Sequence, residues 1–134
     1  MKTLSIEVAS SRKKISEVEK MLRKANNEFN IEEERFHKLL IAVSELVLNA
    51  IVHGNNESPV KKVKITAEYD DEKMIVKVLD EGAGFDVRQI PDPTSTENIQ
   101  KKSGRGIYIV KQLTDRIEYK KTPEGFLITL TIFK

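Results

Sequence analysis

Three short runs of the sequence hold residue types that do chemistry. In Glu45-x-x-x-Asn49-Ala50-x-x-His53-Gly54, a carboxylate, a carboxamide and an imidazole recur at steps of four, which on a helix is one side of the cylinder. Such a row borders either a polar cavity or solvent, and spacing alone leaves the two about even. In Asp80-x-Gly82-x-Gly84 the glycines permit positive φ and the close approach of another molecule. A fixed carboxylate beside them accepts hydrogen bonds from an amino group such as that of adenine. The same pattern also makes a tight turn. In Ser103-Gly104-Arg105-Gly106 a helix start offers unpaired N–H groups and the positive end of its dipole to a phosphate, or is a plain cap. It is neither a Walker loop, since no Gly-Lys-Ser/Thr comes after it, nor a dinucleotide fingerprint, which needs a first strand and a ribose-binding carboxylate around it.

Positioning these runs takes a definite set of elements. Leu4, Ile6 and Val8 alternate with polar residues and predict a strand. Over 11–29 the apolar positions Ile15, Val18, Leu22, Ala25 and Phe29 form a narrow helical stripe that suits packing against the same domain, or a dimer seam. Asn30 can cap a second helix with Glu33 as the return half of a capping box, and Glu32, Glu33 and Glu34 complement its dipole. Its apolar face, from Phe36 to Ile51, runs to Gly54, read as a left-handed stop. A loop over 55–59 leads to two alternating strands, 63–69 and 74–80, in which Asp80 shares a face with Val76 and Val78. The long irregular stretch 85–102 reads as a functional lid or a mobile loop. A helix over 105–113 and a hairpin of 117–121 with 126–133 complete the chain. The pattern predicts one domain over 1–134, of α+β class: a two-layer α/β sandwich whose mainly antiparallel, mixed sheet is covered on one face by helices.

Composition narrows the chemistry. The 134 residues carry 23 Lys plus Arg, 21 Asp plus Glu, two His and no Cys. Without Cys there are no disulfides, thiolate metal sites or thiol nucleophiles, and two His make a His-based metal cage unfavourable. A formal net charge of +2 gives no strong field for nucleic acid. No apolar run is read as approaching the roughly 18 residues of a membrane span, and no signal-peptide pattern opens the sequence, so a cytoplasmic location is expected.

The order of the three runs, with the lid between the second and third, resembles the N, G1 and G2 boxes of the GHKL ATPase superfamily, which includes gyrases and histidine kinases. The segment around Phe85, Asp86, Pro91, Asp92, Pro93, Glu97 and Asn98, leading into Ser103-Gly104-Arg105-Gly106-Ile107, is similar to that of the anti-sigma-factor serine kinases of bacterial partner-switching systems. The resemblance implies a Bergerat ATP-binding fold with ATP and Mg²⁺ as cofactors. Position by position, it implies that Asn49 coordinates the Mg²⁺ bridging the phosphates and that Glu45 orients or deprotonates the attacking group. Asp80 would read adenine, Gly82 and Gly84 would form the turn beside the base, and Gly104 and Gly106 would serve lid hinge and phosphates. Arg105 would face phosphate or solvent, and His53 would pack or hydrogen-bond. Many relatives carry Gly-Thr at the start of the last strand where this sequence has Gly125-Phe126, so the resemblance carries no site residue over to that position.

The implied function is an ATP-dependent anti-sigma regulatory serine kinase that phosphorylates a small antagonist protein on Ser and binds a sigma factor, with a homodimer possible. A nucleotide-binding docking module with little or no transfer activity competes with it, and the presence of both Glu45 and Asn49 favours transfer. A detached histidine-kinase domain fits less well, because His37 lacks an acidic neighbour after it. A DNA-binding regulator is the poorest fit, since Arg12, Lys13, Lys14, Lys101 and Lys102 read more simply as exposed charge.

Overall fold

Alternation of apolar and charged residues accounts for the sheet. The computed structural model describes residues 1–82 and 116–134. Within them five strands, β1 (Lys2–Ala9), β2 (Lys62–Tyr69), β3 (Lys73–Asp80), β4 (Arg116–Thr122) and β5 (Gly125–Phe133), form one sheet in the order β1-β2-β3-β5-β4. All four pairings are antiparallel. This is the limiting case of the mainly antiparallel sheet expected, and the parallel pair that a mixed sheet would contain does not occur among the described residues.

Register follows the apolar pattern. Ala67 faces Val76 and Ile65 faces Val78 across β2 and β3, while Val76 faces Leu130 and Val78 faces Ile128 across β3 and β5. All six are buried, whereas Lys62 and Lys64 on the other face are exposed. A one-residue slip would turn each apolar set to solvent, so this register is strongly specified. Asp80 ends the inward set of β3, opposite Phe126, and is buried with it.

Among the described residues two helices cover the apolar face. In α1 (Ile15–Phe29) the stripe Val18, Leu22, Ala25 and Phe29 is fully buried, so of the two roles open to it the structure shows packing within the domain. The connection to α2 (Glu33–Asn49) differs from the expected capping box. Asn30 adopts a left-handed conformation, φ 62 and ψ 48, and ends α1 with its N–H on the Asn26 carbonyl. Glu32 occupies the N-cap of α2 without a side-chain bond. The chain reverses between the helices, and Asn tolerates the left-handed turn this requires. Asn26 braces that turn by accepting the Ile31 N–H at 3.0 Å.

α2 buries Phe36, Leu39, Val43, Leu46 and Val47. The helix does not continue regularly to Gly54: residues Ala50–Gly54 form one π turn, closed by the Asn55 N–H on the Ala50 carbonyl at 2.8 Å. Gly54 is not the left-handed stop expected of it, and the positive φ values fall on Asn56 and Glu57 instead. Contrary to the expectation that no apolar run reaches the length of a membrane span, the 22 residues Glu33–Gly54 do so by length and composition. They lie against the sheet as a core helix, which passes the same test.

Candidate functional site

The site is built where the end of β3 meets the end of α2. Asp80 is 6% exposed. The Gly82 N–H donates to its Oδ1 at 2.7 Å, a short bond of the kind charged acceptors make. The π turn carries Gly54 directly against this carboxylate: a Cβ on Gly54 would overlap Oδ2 and lie 3.0 Å from Oδ1. A Cβ on Gly82 would collide with the Gly54 carbonyl, and one on Gly125, which sits at φ 154, with the Asp80 carbonyl. Gly54 thus reaches the carboxylate itself, while Gly82 packs on the Gly54 backbone and Gly125 on the Asp80 backbone.

Burial pushes the Asp80 carboxyl above the ordinary carboxylate value, against backbone hydrogen bonds from Gly82 and Phe126 and the charge of Lys61, which hold it down. Desolvation is the larger effect and disfavours the charged form, while the N–H donors offset part of that cost and fix the carboxyl in place. Each carboxylate oxygen has more than one acceptor site, and the Gly82 N–H leaves Asp80 capacity for a further donor.

Glu45 and Asn49 lie one turn apart on α2, both half-buried. Neither side chain has a hydrogen bond or ion pair among the described residues. His53 is exposed and likewise without a bond there, so the packing or hydrogen-bonding role expected for it is not found. The π turn explains its departure from the row: a wider turn adds a residue and rotates the next positions out of α-helical alignment. Gly84, Gly104, Arg105 and Gly106 lie outside the described residues, as do the irregular stretch 85–102 and the helix over 105–113.

Two residues that no sequence motif singles out belong to the site. Gly125 reaches it because β5 pairs with β3, a neighbour relation that no local pattern announces. Asn55, assigned to a loop, is completely buried; its signal is faint, the first of two amides after His-Gly.

Gly54 supports a sharp expectation. In Gly54→Ala the colliding atom ends a side chain, so the backbone can hold while the Asp80 carboxylate leaves its place. ATP affinity should fall by at least about tenfold with a loss of stability no larger than the roughly 1 kcal/mol typical of a point mutant. Gly82→Ala, which meets backbone, should destabilise more. Calorimetric titration and thermal unfolding of both variants check this; Gly54→Ala with native affinity contradicts it.

An antiparallel sheet with helices on one face carries the buried Asp80 at a glycine-lined strand end and the Glu45/Asn49 pair on its core helix, and solved histidine kinase catalytic domains share this fold. Residues 8–132 match the family model described as histidine kinase-like ATPase domain, and the chain belongs to that family. Among curated proteins it is similar to the anti-sigma F factor of Lysinibacillus sphaericus, 35% identical over 92 residues that cover 66% of this chain and 63% of that protein. It is also similar to the anti-sigma F factor of Thermoanaerobacter sp. (strain X514), 31% identical over 101 residues, 73% of this chain and 70% of that one. The match thus spans somewhat less than two thirds of the first of these relatives. Among solved structures, the RsbU and RsbW domains of Rv1364c from Mycobacterium tuberculosis align with a TM-score of 0.69 at 19% identity, over 98% of this chain and 32% of that one. The catalytic domain of histidine kinase ThkA aligns at 0.57 and 19%, over 100% and 98%. At these identities the solved structures show the shared fold.

Proposed function

We propose that this protein is an ATP-dependent anti-sigma regulatory kinase that phosphorylates a small antagonist protein on Ser and binds a sigma factor, acting in the cytoplasm. The observation that carries the reading is the buried Asp80, with Gly54 and the Gly82 N–H against its carboxylate and Gly125 against its backbone, joined through the π turn to the helix that bears Glu45 and Asn49. The similarity to anti-sigma F factors supports the choice of partners.

The residues present suit ATP and Mg²⁺. Asp80 offers a desolvated acceptor to the adenine amino group, and the space a Cβ would fill at Gly54 and Gly82 keeps the backbone close to it. Mg²⁺ takes oxygen ligands and retains waters, so the Asn49 carboxamide oxygen with phosphate oxygens is a sufficient donor set. No cluster of three acidic or His side chains occurs among the described residues, and none is needed for that role. When bound, MgATP supplies the transferable γ-phosphoryl group. Glu45 would accept the proton from the incoming Ser hydroxyl as its oxygen bonds to phosphorus and the bond to ADP breaks, a task of positioning and charge neutralisation more than covalent chemistry. Gly84, Gly104 and Gly106 would complete the base turn and phosphate contacts, and Arg105 the charge near them. In a homodimer the contact surface would lie elsewhere than the α1 stripe, which is buried in the core.

The test is incubation with labelled MgATP and candidate antagonist proteins from the same genome. Label is expected on a partner Ser. Asn49→Ala should weaken MgATP binding by at least about tenfold while leaving affinity measured in EDTA unchanged. A protein that binds no nucleotide overturns the reading; binding without transfer to any candidate favours the docking module.

A further inference from the structure

Asn55 does more than occupy a loop: we propose that it is the positioning residue that aims Asp80 and so sets the preference for adenine over guanine. This role rests on Asp80 being the base-reading carboxylate. Asn55 is 0% exposed, and every part of its side chain is engaged. Its Oδ1 accepts the Glu81 N–H at 2.8 Å, which fixes the peptide joining Asp80 to Glu81. Its Nδ2 donates to Ser10 Oγ at 2.9 Å and to the Lys62 carbonyl at 3.1 Å. Ser10 Oγ donates onward to the Lys61 carbonyl at 2.6 Å. The Asn55 N–H closes the π turn on Ala50.

The side chain therefore ties the end of β3 to the start of β2 and to the segment after β1, while the backbone N–H of the same residue holds the end of the helix that carries Asn49. A buried amide network satisfied at each atom holds a single geometry, and losing its centre leaves several desolvated groups without partners. Among uncharged side chains of this reach, only the carboxamide offers two donors and an acceptor together. The Glu81 peptide lies between the carboxylate and the glycine whose N–H holds it. Freedom at that peptide becomes freedom of the Asp80 oxygens. Adenine presents an amino group to them, whereas guanine presents a carbonyl oxygen at the same ring position, so loosening the carboxylate costs ATP more than GTP.

The experiment measures ATP and GTP dissociation constants by calorimetry for the full chain, Asn55→Ala, Ser10→Ala and Val18→Ala. The last removes buried apolar volume in α1 and serves as a purely structural comparison. For Asn55→Ala, ATP affinity should fall by at least about tenfold and the ATP-to-GTP ratio by a similar factor. Ser10→Ala should shift the ratio in the same direction by about threefold. Val18→Ala should leave the ratio unchanged. A folded Asn55→Ala protein with the native ratio overturns the proposal; if that variant does not fold, a native ratio in Ser10→Ala overturns it. Absence of ATP binding by the unsubstituted chain overturns instead the assignment of the site on which the proposal rests.

Discussion

Replacing Asp80 by Asn is expected to weaken ATP binding about 10- to 100-fold, since hydrogen bonds to charged groups contribute roughly 1.5–3 kcal/mol, and at the same time to raise the temperature of unfolding at neutral pH. The two effects have one cause. Asp80 is buried, and desolvation lifts its carboxyl above the ordinary carboxylate value in the folded protein. The folded state thus holds the proton more tightly than the unfolded chain, so the cost of burying the charge grows as pH rises through the ordinary carboxylate range and is complete above the folded-state value. Below the ordinary carboxylate range Asp80 is protonated in both states and the opposition vanishes. The uncharged carboxamide of Asp80→Asn removes the cost at pH 7, and its advantage should shrink as pH falls towards about 4. Thermal unfolding against pH, beside calorimetric titration of ATP, measures both. Native ATP affinity in Asp80→Asn would remove Asp80 from base recognition, and the lack of any gain at neutral pH would show that the backbone donors outweigh burial. The same ionisation should make ATP binding by the unsubstituted protein fall off on acidification sooner than an exposed carboxylate would dictate.

The second large effect is expected at Glu45. A general base contributes about 10²- to 10⁴-fold to a rate, so Glu45→Ala should lose phosphoryl transfer by that factor while keeping ATP affinity within about twofold. The separation follows from its surroundings. Glu45 is half-buried on α2 with no partner among the described residues, so its removal breaks no bond to them. Single-turnover transfer to the antagonist, with titration of ATP, reads the two quantities apart. Transfer at the native rate would assign proton removal to another group, and a parallel fall in affinity would make Glu45 a binding residue. The two expectations separate the carboxylates: Asp80→Asn is expected to lose ATP binding, Glu45→Ala to lose transfer.

Much of this architecture is legible in the sequence. Val63, Ile65, Ala67 and Tyr69 alternate with polar residues because the sheet has one dry face, and period-two alternation reports that state locally. The apolar positions of α1 and α2 report the covering helices for the same reason. Parity with Val76 and Val78 places Asp80 on the inward face, and it is there. The helix ends are less legible. Asn30 and Gly54 each suit several kinds of turn, and which one forms depends on where the next element must go. Asn30 ends α1 because the chain must reverse there, and Gly54 is the last residue of a π turn that sets it directly against Asp80.

What the sequence by itself determined is therefore periodic or ordered along the chain: two amphipathic helices, alternating strands, the Glu45/Asn49 spacing and the series of three motifs. These rest on interactions between residues a few positions apart, so they are written in neighbouring letters. Only the tertiary structure decided that Gly125 lies against the Asp80 backbone, that Gly54 is glycine for lack of room, and that Asn55 joins four segments. Each of these depends on segments far apart in the chain coming within van der Waals reach. That proximity is set by β5 pairing with β3 and by the packing of α2 on the sheet, because close packing leaves at such a point no space for a Cβ and no water to satisfy a buried amide.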